Sequence, residues 1–249
     1  IRAGVVVYAG VDYERILRAA EDEADIILWD GGNNDWPFFR SDLEIVLLDP
    51  HRAGHEVRYH PGETNVRRAQ VLVVNKLDSA PVAGVQEVLH NISQLNTTAT
   101  VIHARSAVSA DHPELIRGKR VLVIEDGPTL THGEMGYGSG VIAAQRYGAA
   151  EIVDPRPFAR GSLVETFHHA PWIAHALPAM GYSPSQLNDL AATIAATPCD
   201  TIVVATPVQL SRLIALPHPS CRVSYELEEV SQPDLATVVD RFVREQVRR

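Results

Sequence analysis

The stretch VLVVNKLDSAP, residues 71–81, decides how the rest of the chain is read. Val71, Leu72, Val73 and Val74 form an unbroken apolar run, the pattern of a strand covered on both faces, as in a parallel sheet flanked by helices. The run stops at Asn75-Lys76-Leu77-Asp78. Polar residues at the carboxyl end of such a strand lie where open parallel sheets bind their ligands. The types also suit a nucleobase. Asp78 can accept from ring and exocyclic N–H groups, the Asn75 amide can donate and accept, and the carbon stem of Lys76 can lie along a ring face. Four residues are a short motif that an ordinary turn also produces, so its weight comes from its place between a strand and a helix.

Outward from this strand the pattern repeats. On the amino-terminal side, residues 12–24 space Ile16, Leu17, Ala20 and Ala24 as a helix does, with Asp12 as N-cap. DIILWD (25–30) and LEIVLLD (43–49) read as buried strands, and residues 63–69 as a short helix. On the other side come a helix over 82–96 and a strand over 98–106. The expected boundary lies near residues 113–120, dividing the chain into 1–116 and 117–249. The pattern then restarts: a strand from Arg120, a glycine-rich loop to Gly140, a helix over 141–149, a short strand over 151–157, a helix from Ser183 or Ser185, a strand over 199–207, a helix over 208–214, a strand over 221–229 and an amphipathic closing helix with Leu235, Val238, Val239, Phe242 and Val243 on one side. The expected class is therefore α/β, two units of parallel sheet flanked by helices.

Composition narrows the function. The 249 residues carry a formal net charge of −9, which argues against a sequence-independent nucleic-acid binder. No apolar run approaches the roughly 18 residues of a membrane span, and no signal peptide is visible. Cys199 and Cys221 form no ligand cluster, so the expected setting is a reducing cytoplasm. Homo-oligomerisation is left open. The chain starts as IRAGVVVYAG, with Val5–Val7 already strand-like, so we expect a segment before Ile1 in the full gene product.

Three further features carry chemistry. Asp30 would close a strand beside the nucleotide, a place for a carboxylate that holds Mg²⁺ and bridges it to phosphates, with Asp35 and Asp49 as weaker candidates. Gly31 and Gly32 would let backbone N–H groups approach a phosphate. EDGPTLTHGEMGYGSG (125–140), with Gly136 and Gly138 before a helix, resembles an anion-binding loop, and His132 within it could add a proton or a charge. The loop after residue 49 holds His51, Arg52, His55, Arg58, His60, Arg67 and Arg68. Pro50, Gly54 and Pro61 argue against a helix that would align its histidines on a metal. The set suits a phosphorylated, acidic substrate instead, with solvated loop charges as the plain alternative.

Asn-Lys-x-Asp after an apolar strand, followed one strand later by Ser106-Ala107, resembles the base-binding side of GTPases, which place there a small-residue loop whose backbone contacts the base. Yet no G-x-x-x-x-G-K-[ST] phosphate loop occurs in the chain. VYAGVDYERILRAAEDEADIILWDGGNNDWPFF, DPHRAGHEVRYHPGETNVRRAQVLVVNKLD, EDGPTLTHGEMGYGSGVIAAQRYGAAEIVDPRP and LPAMGYS together resemble the cyclic 2,3-diphosphoglycerate synthetase family. The resemblance runs from Val7 to Val230. It implies that a phosphate-loop segment precedes the region seen here, so that residues 1–116 are the remnant of a P-loop-NTPase-like (GTPase-like) unit followed by a second, Rossmann-like one. It implies an ATP-dependent ligase that closes two phosphates of a small substrate into an anhydride, this chain alone being inactive. ATP and Mg²⁺ are the implied cofactors, and the Asn75, Lys76, Asp78 chemistry keeps GTP open. We would place Asp30 at Mg²⁺, Asn75, Lys76, Asp78, Ser106 and Ala107 at the base, and His55, Arg58, His60, Gly136, Gly138 and His132 toward the substrate and its chemistry. A GTPase-type switch or chaperone and a non-catalytic phosphate-binding module are the other classes these residues allow.

Overall fold

A computed structural model describes residues 4–32, 35–131 and 136–247. In chain order the elements are α1 (Tyr13–Glu21), β1 (Ile45–Leu48), α2 (His55–Arg58), α3 (Gly62–Arg68), β2 (Val71–Val74), α4 (Val82–Leu95), β3 (Thr100–Ala110), β4 (Arg120–Asp126), α5 (Gly127–Thr131), α6 (Ser139–Arg146), β5 (Glu151–Ile152), α7 (Ser162–His169), β6 (Leu177–Ala179), α8 (Pro184–Ala196), β7 (Thr201–Ala205), β8 (Ser220–Glu229) and α9 (Leu235–Val247). The chain forms two compact units, residues 1–106 with 227–249, and residues 107–226. The division falls within β3 and β8.

The first unit is built on parallel β1, β2 and β3, in a register that sets Leu48 beside Val74 and Val74 beside His103. The uniform apolarity of β2 has a direct cause. Leu72 and Val74 face Leu48, Val66, Val88 and Ile92, the cover supplied by α3 and α4. Val71 and Val73 face Ile102 and Ala104, with Leu235 and Val238 of α9 packed on that side. All four β2 residues are buried, and each such side chain contributes about 1.5–3 kcal/mol on leaving water. α4 has no side-chain N-cap and is fixed by contact. A Cβ on Gly84 would lie 2.2 Å from the Pro50 carbonyl oxygen, so only glycine lets α4 sit this close to the preceding turn. The C-terminal end is tied by Asn96, whose Nδ2 donates to the Val66 and Ala69 carbonyls at 2.8 and 2.9 Å.

In the second unit β4 lies between β7 on one side and β5 and β6 on the other, with β8 beyond β7; these pairings are parallel. Its core joins Val121–Ile124 of β4 to Ile202–Val204 of β7. Ser183 caps α8 in a reciprocal box with Gln186, as its Ser-Pro-x-Gln sequence dictates. Since β4 is followed by excursions to opposite sides, the carboxyl ends of β4 and β7 form a switch point of the kind at which doubly wound sheets bind ligands.

Several expectations fail. Residues 25–30 do not form a strand, and neither do Val5–Val7. A strand needs a neighbour to take its N–H and C=O groups; these segments pair with no strand among the described residues, and Leu28 is left 84 % exposed. Trp29 instead packs on the rings of Tyr13, Phe38 and Phe39, with centroids 5.5 to 5.8 Å away. Conversely, the loop expected after residue 49 is partly helical. Pro50 opens a 3-10 turn capped by Asp49, and Gly54, at φ +89°, precedes α2. Proline and glycine here separate short helices rather than prevent them. The helix expected over 208–214 contracts to a 3-10 turn at Leu210–Arg212, and the strand over 151–157 to two residues. No helix among the described residues is long and apolar enough to cross a membrane.

Candidate functional site

The carboxyl ends of β1 and β2, beside Ala104 and Ser106 of β3, bring together the polar residues of the strand-end motif. Lys76 follows β2 in the left-handed region, φ +59°, the one non-glycine described residue there, a backbone state that lysine adopts only at a cost. The neighbours hold it. Asn75 Oδ1 accepts the Lys76 N–H at 2.7 Å, and the Lys76 carbonyl accepts the N–H groups of Ser79 and Ala80. The ammonium reaches across to the end of β1, 2.6 Å from Asp49 Oδ2. Both side chains are partly covered, at 35 % and 26 % exposure, so solvent screens the pair only in part. Asp49 Oδ1 accepts the His51 N–H at 3.1 Å, and His51 Nε2 lies 3.0 Å from Ser79 Oγ. On the β3 side, Leu77 N–H donates to the Ala104 carbonyl, and Asp78 Oδ1 accepts the Ser106 N–H at 3.1 Å. The sequence motif is thus a wired turn in which Asn75 shapes the backbone, Lys76 bridges to β1 and exposed Asp78 is oriented by Ser106. Ala107 follows in β3.

The other assigned residues of this unit are more dispersed. His55 and Arg58 lie on α2 and His60 just beyond it. His55 packs edge-on against Tyr59, and the His60 ring is 6.2 Å from Trp36. Arg68 is paired with Glu44 and lies over the Trp36 ring. Arg58 and His60 are exposed. Asp30 is exposed in an irregular segment rather than at a strand end. Asp35 Oδ2 is engaged by the Gly32 N–H at 2.9 Å. Among the described residues no three His, Cys, Asp or Glu side chains converge on a metal-sized point.

In the second unit the glycine loop meets a residue that the sequence reading passed over. Glu125, near the end of β4, is 3 % exposed. Its Oε1 accepts the N–H groups of Gly138, Gly140 and Val141 at 3.1, 2.8 and 3.1 Å, at the start of α6. Burial pushes its pKa up from 4.5 to about 7, against the pull of those three donors. A Cβ on Gly138 would stand 2.6 Å from Glu125 Oε2, and one on Gly136 2.9 Å from the Trp172 carbonyl oxygen. These three donors at the start of α6 are therefore taken by the protein's own carboxylate. The signal was present in the sequence as an acid closing the apolar run VLVIE ahead of a glycine-rich turn. His132 lies outside the described residues. Arg156, a further basic residue at a strand end, is held by Asp154 through two nitrogens, Nε at 2.9 Å and an outer nitrogen at 2.7 Å, which keeps the Asp154 carboxyl below its ordinary range.

No protein-family model matches the chain. Over 244 residues the chain is 56 % identical to arginine synthetase ArcE of Thermococcus kodakarensis, the match taking in 98 % of this chain and 54 % of that protein. The chain thus spans about half the length of the curated relative it matches.

Proposed function

We propose that the chain is part of an ATP-dependent ligase that produces arginine, with the nucleotide base seated at the carboxyl ends of β1 and β2, beside Ser106 of β3. The observation that carries this reading is the 56 % identity to an arginine synthetase across nearly the whole chain. The wired Asn75, Lys76, Asp78 turn supports the location, because it presents polar groups where a parallel sheet receives its ligand.

The chemistry follows from the product. A ligase makes a guanidinium by replacing the oxygen of a ureido group with nitrogen. The ureido oxygen takes the γ-phosphoryl group of ATP, releasing ADP, and ammonia then displaces phosphate from the carbon. Such transfers depend on positioning and charge neutralisation more than on covalent chemistry by the protein. Asp78, oriented by the Ser106 N–H, would accept from the exocyclic amine of the base, with Ala107 beside it in β3. Asp30 would hold Mg²⁺ together with phosphate oxygens, since this ion asks for only one or two carboxylates and keeps its remaining positions for water and phosphate; bound there it would neutralise phosphate charge. His55, Arg58 and His60 would meet the anionic end of the substrate.

A second reading, closure of 2,3-diphosphoglycerate to its cyclic anhydride, is favoured by the basic run through His55, Arg58 and His60. One experiment separates the two. The full-length protein is incubated with Mg²⁺ and ATP, first with citrulline and ammonium, then with 2,3-diphosphoglycerate. Arginine formed in step with ADP and phosphate is the expected result. An upfield pair of anhydride signals in the phosphorus NMR spectrum of the second mixture, with no arginine in the first, would replace the first reading by the second. Nucleotide hydrolysis without either product would sink both.

A further inference from the structure

We propose that Asp49 is the positioning residue of the strand-end turn, holding Lys76 so that the lysine serves a bound nucleotide with its carbon stem rather than with its charge. The inference rests on the nucleotide reading above and assigns a role to a residue that sequence reasoning left as a weak metal candidate. Three observations carry it. Lys76 starts from a left-handed backbone, φ +59°, and reaches from the end of β2 to the end of β1, where its ammonium lies 2.6 Å from Asp49 Oδ2. A charge matched at that distance is a poor partner for a phosphate, because any new anion competes with Asp49. What remains is a methylene chain anchored at both ends, a ledge of the kind on which a planar ring can rest. Asp49 is itself fixed from behind: its Oδ1 accepts the His51 N–H, and the His51 ring is 3.0 Å from Ser79 Oγ, while the Ser79 N–H returns to the Lys76 carbonyl. Asp49, His51, Ser79 and Lys76 thus close a ring of contacts across two adjacent strand ends.

The test is ATP affinity by calorimetry on the full-length protein, with Asp49→Asn, Lys76→Ala, Lys76→Met and the double variant Asp49→Asn/Lys76→Met, each checked for its melting temperature. Truncation to alanine is expected to raise Kd about tenfold and methionine, which keeps a stem without a charge, about threefold. Asp49→Asn is expected to raise Kd about fivefold when Lys76 is present and to add less than about 1.5-fold in the Lys76→Met background, since residues that act through one another do not add. A structural role alone would make the Asp49→Asn effect equal in both backgrounds. That outcome, or equal losses for alanine and methionine, would overturn the inference while leaving the nucleotide site in place. Should Asp49→Asn fail to fold, the alanine-to-methionine comparison still decides between stem and charge. Absence of ATP binding by the unaltered protein would overturn the nucleotide reading itself and this inference with it.

Discussion

Glu125→Gln should change the pH dependence of stability in a direction opposite to that of substitutions at paired surface carboxylates, whose folded-state pKa is lowered. Glu125 is almost fully enclosed, and its carboxyl titrates near 7 instead of at 4.5, with burial as the first cause. The sign follows from linkage. Between those two values the folded chain keeps a proton that the unfolded chain has released, so raising the pH favours unfolding. Below about 4.5 the group is protonated in both states and costs nothing. Above about 7 the folded state carries a buried carboxylate, and the full penalty applies. Moving an acid constant from 4.5 to about 7 corresponds to about 3 kcal/mol at about 1.4 kcal/mol per tenfold. Glutamine retains Oε1, which can still accept from Gly138, Gly140 and Val141, and it has no charge to bury. The assay is urea unfolding of both proteins from pH 4.5 to 8, read as the difference in midpoint stability so that other titrating groups cancel. The unaltered protein should lose about 3 kcal/mol relative to the variant across that range. A difference that stays constant with pH would refute the reasoning, and one of opposite slope would mean that the three N–H donors outweigh burial.

Other outcomes follow from packing and hydrogen bonding. Gly84→Ala forces a Cβ to within 2.2 Å of the Pro50 carbonyl oxygen, and the required shift of α4 should cost about 1–3 kcal/mol, measurable by chemical denaturation. Asn96→Ala removes an amide that donates to the Val66 and Ala69 carbonyls and accepts from the N–H groups of Thr98 and Ala99; with buried partners left unmet, about 2–4 kcal/mol should be lost. Cys199 and Cys221 are both buried, and burial raises both thiols, Cys221 to about 11. A thiol reagent at pH 8 should therefore label neither in the folded protein and both after unfolding, and rapid labelling of either without denaturant would contradict this packing.

Much of the architecture was legible because it rests on unbroken apolar runs. VLVV, VLVI and TIVVA each became the buried centre of a parallel pairing, since a strand covered on both faces leaves no other pattern. DIILWD contains a similar apolar run and forms no strand, because strand formation is a property of pairs and periodicity sees one segment at a time. The packing of the closing helix was hidden for a related reason: its apolar stripe was visible, but not that Leu235 and Val238 would cover residues 71 and 73, more than 150 positions earlier. Within the site, Asn75, Lys76, Asp78 and Ser106 could be named from spacing, because three of them lie in one turn and the fourth in the neighbouring strand. The pairing of Lys76 with Asp49 depends on the register of β1 against β2, which spacing does not carry. Glu125 was overlooked because an acid within an apolar strand reads as its solvent-exposed end, whereas here the chain folds its own donors back over it.

That enclosure bears on how the second unit keeps its shape. Three backbone donors at the start of a helix usually await an anion from solution, and the loop then depends on its supply. Here the occupant is tethered, so it faces its donors at an effective concentration that free phosphate does not match in dilute solution. Any anion arriving at this turn must first evict a side chain whose alternative is to take up a proton. The start of α6 is therefore set by a side chain of the fold itself rather than by the availability of a ligand.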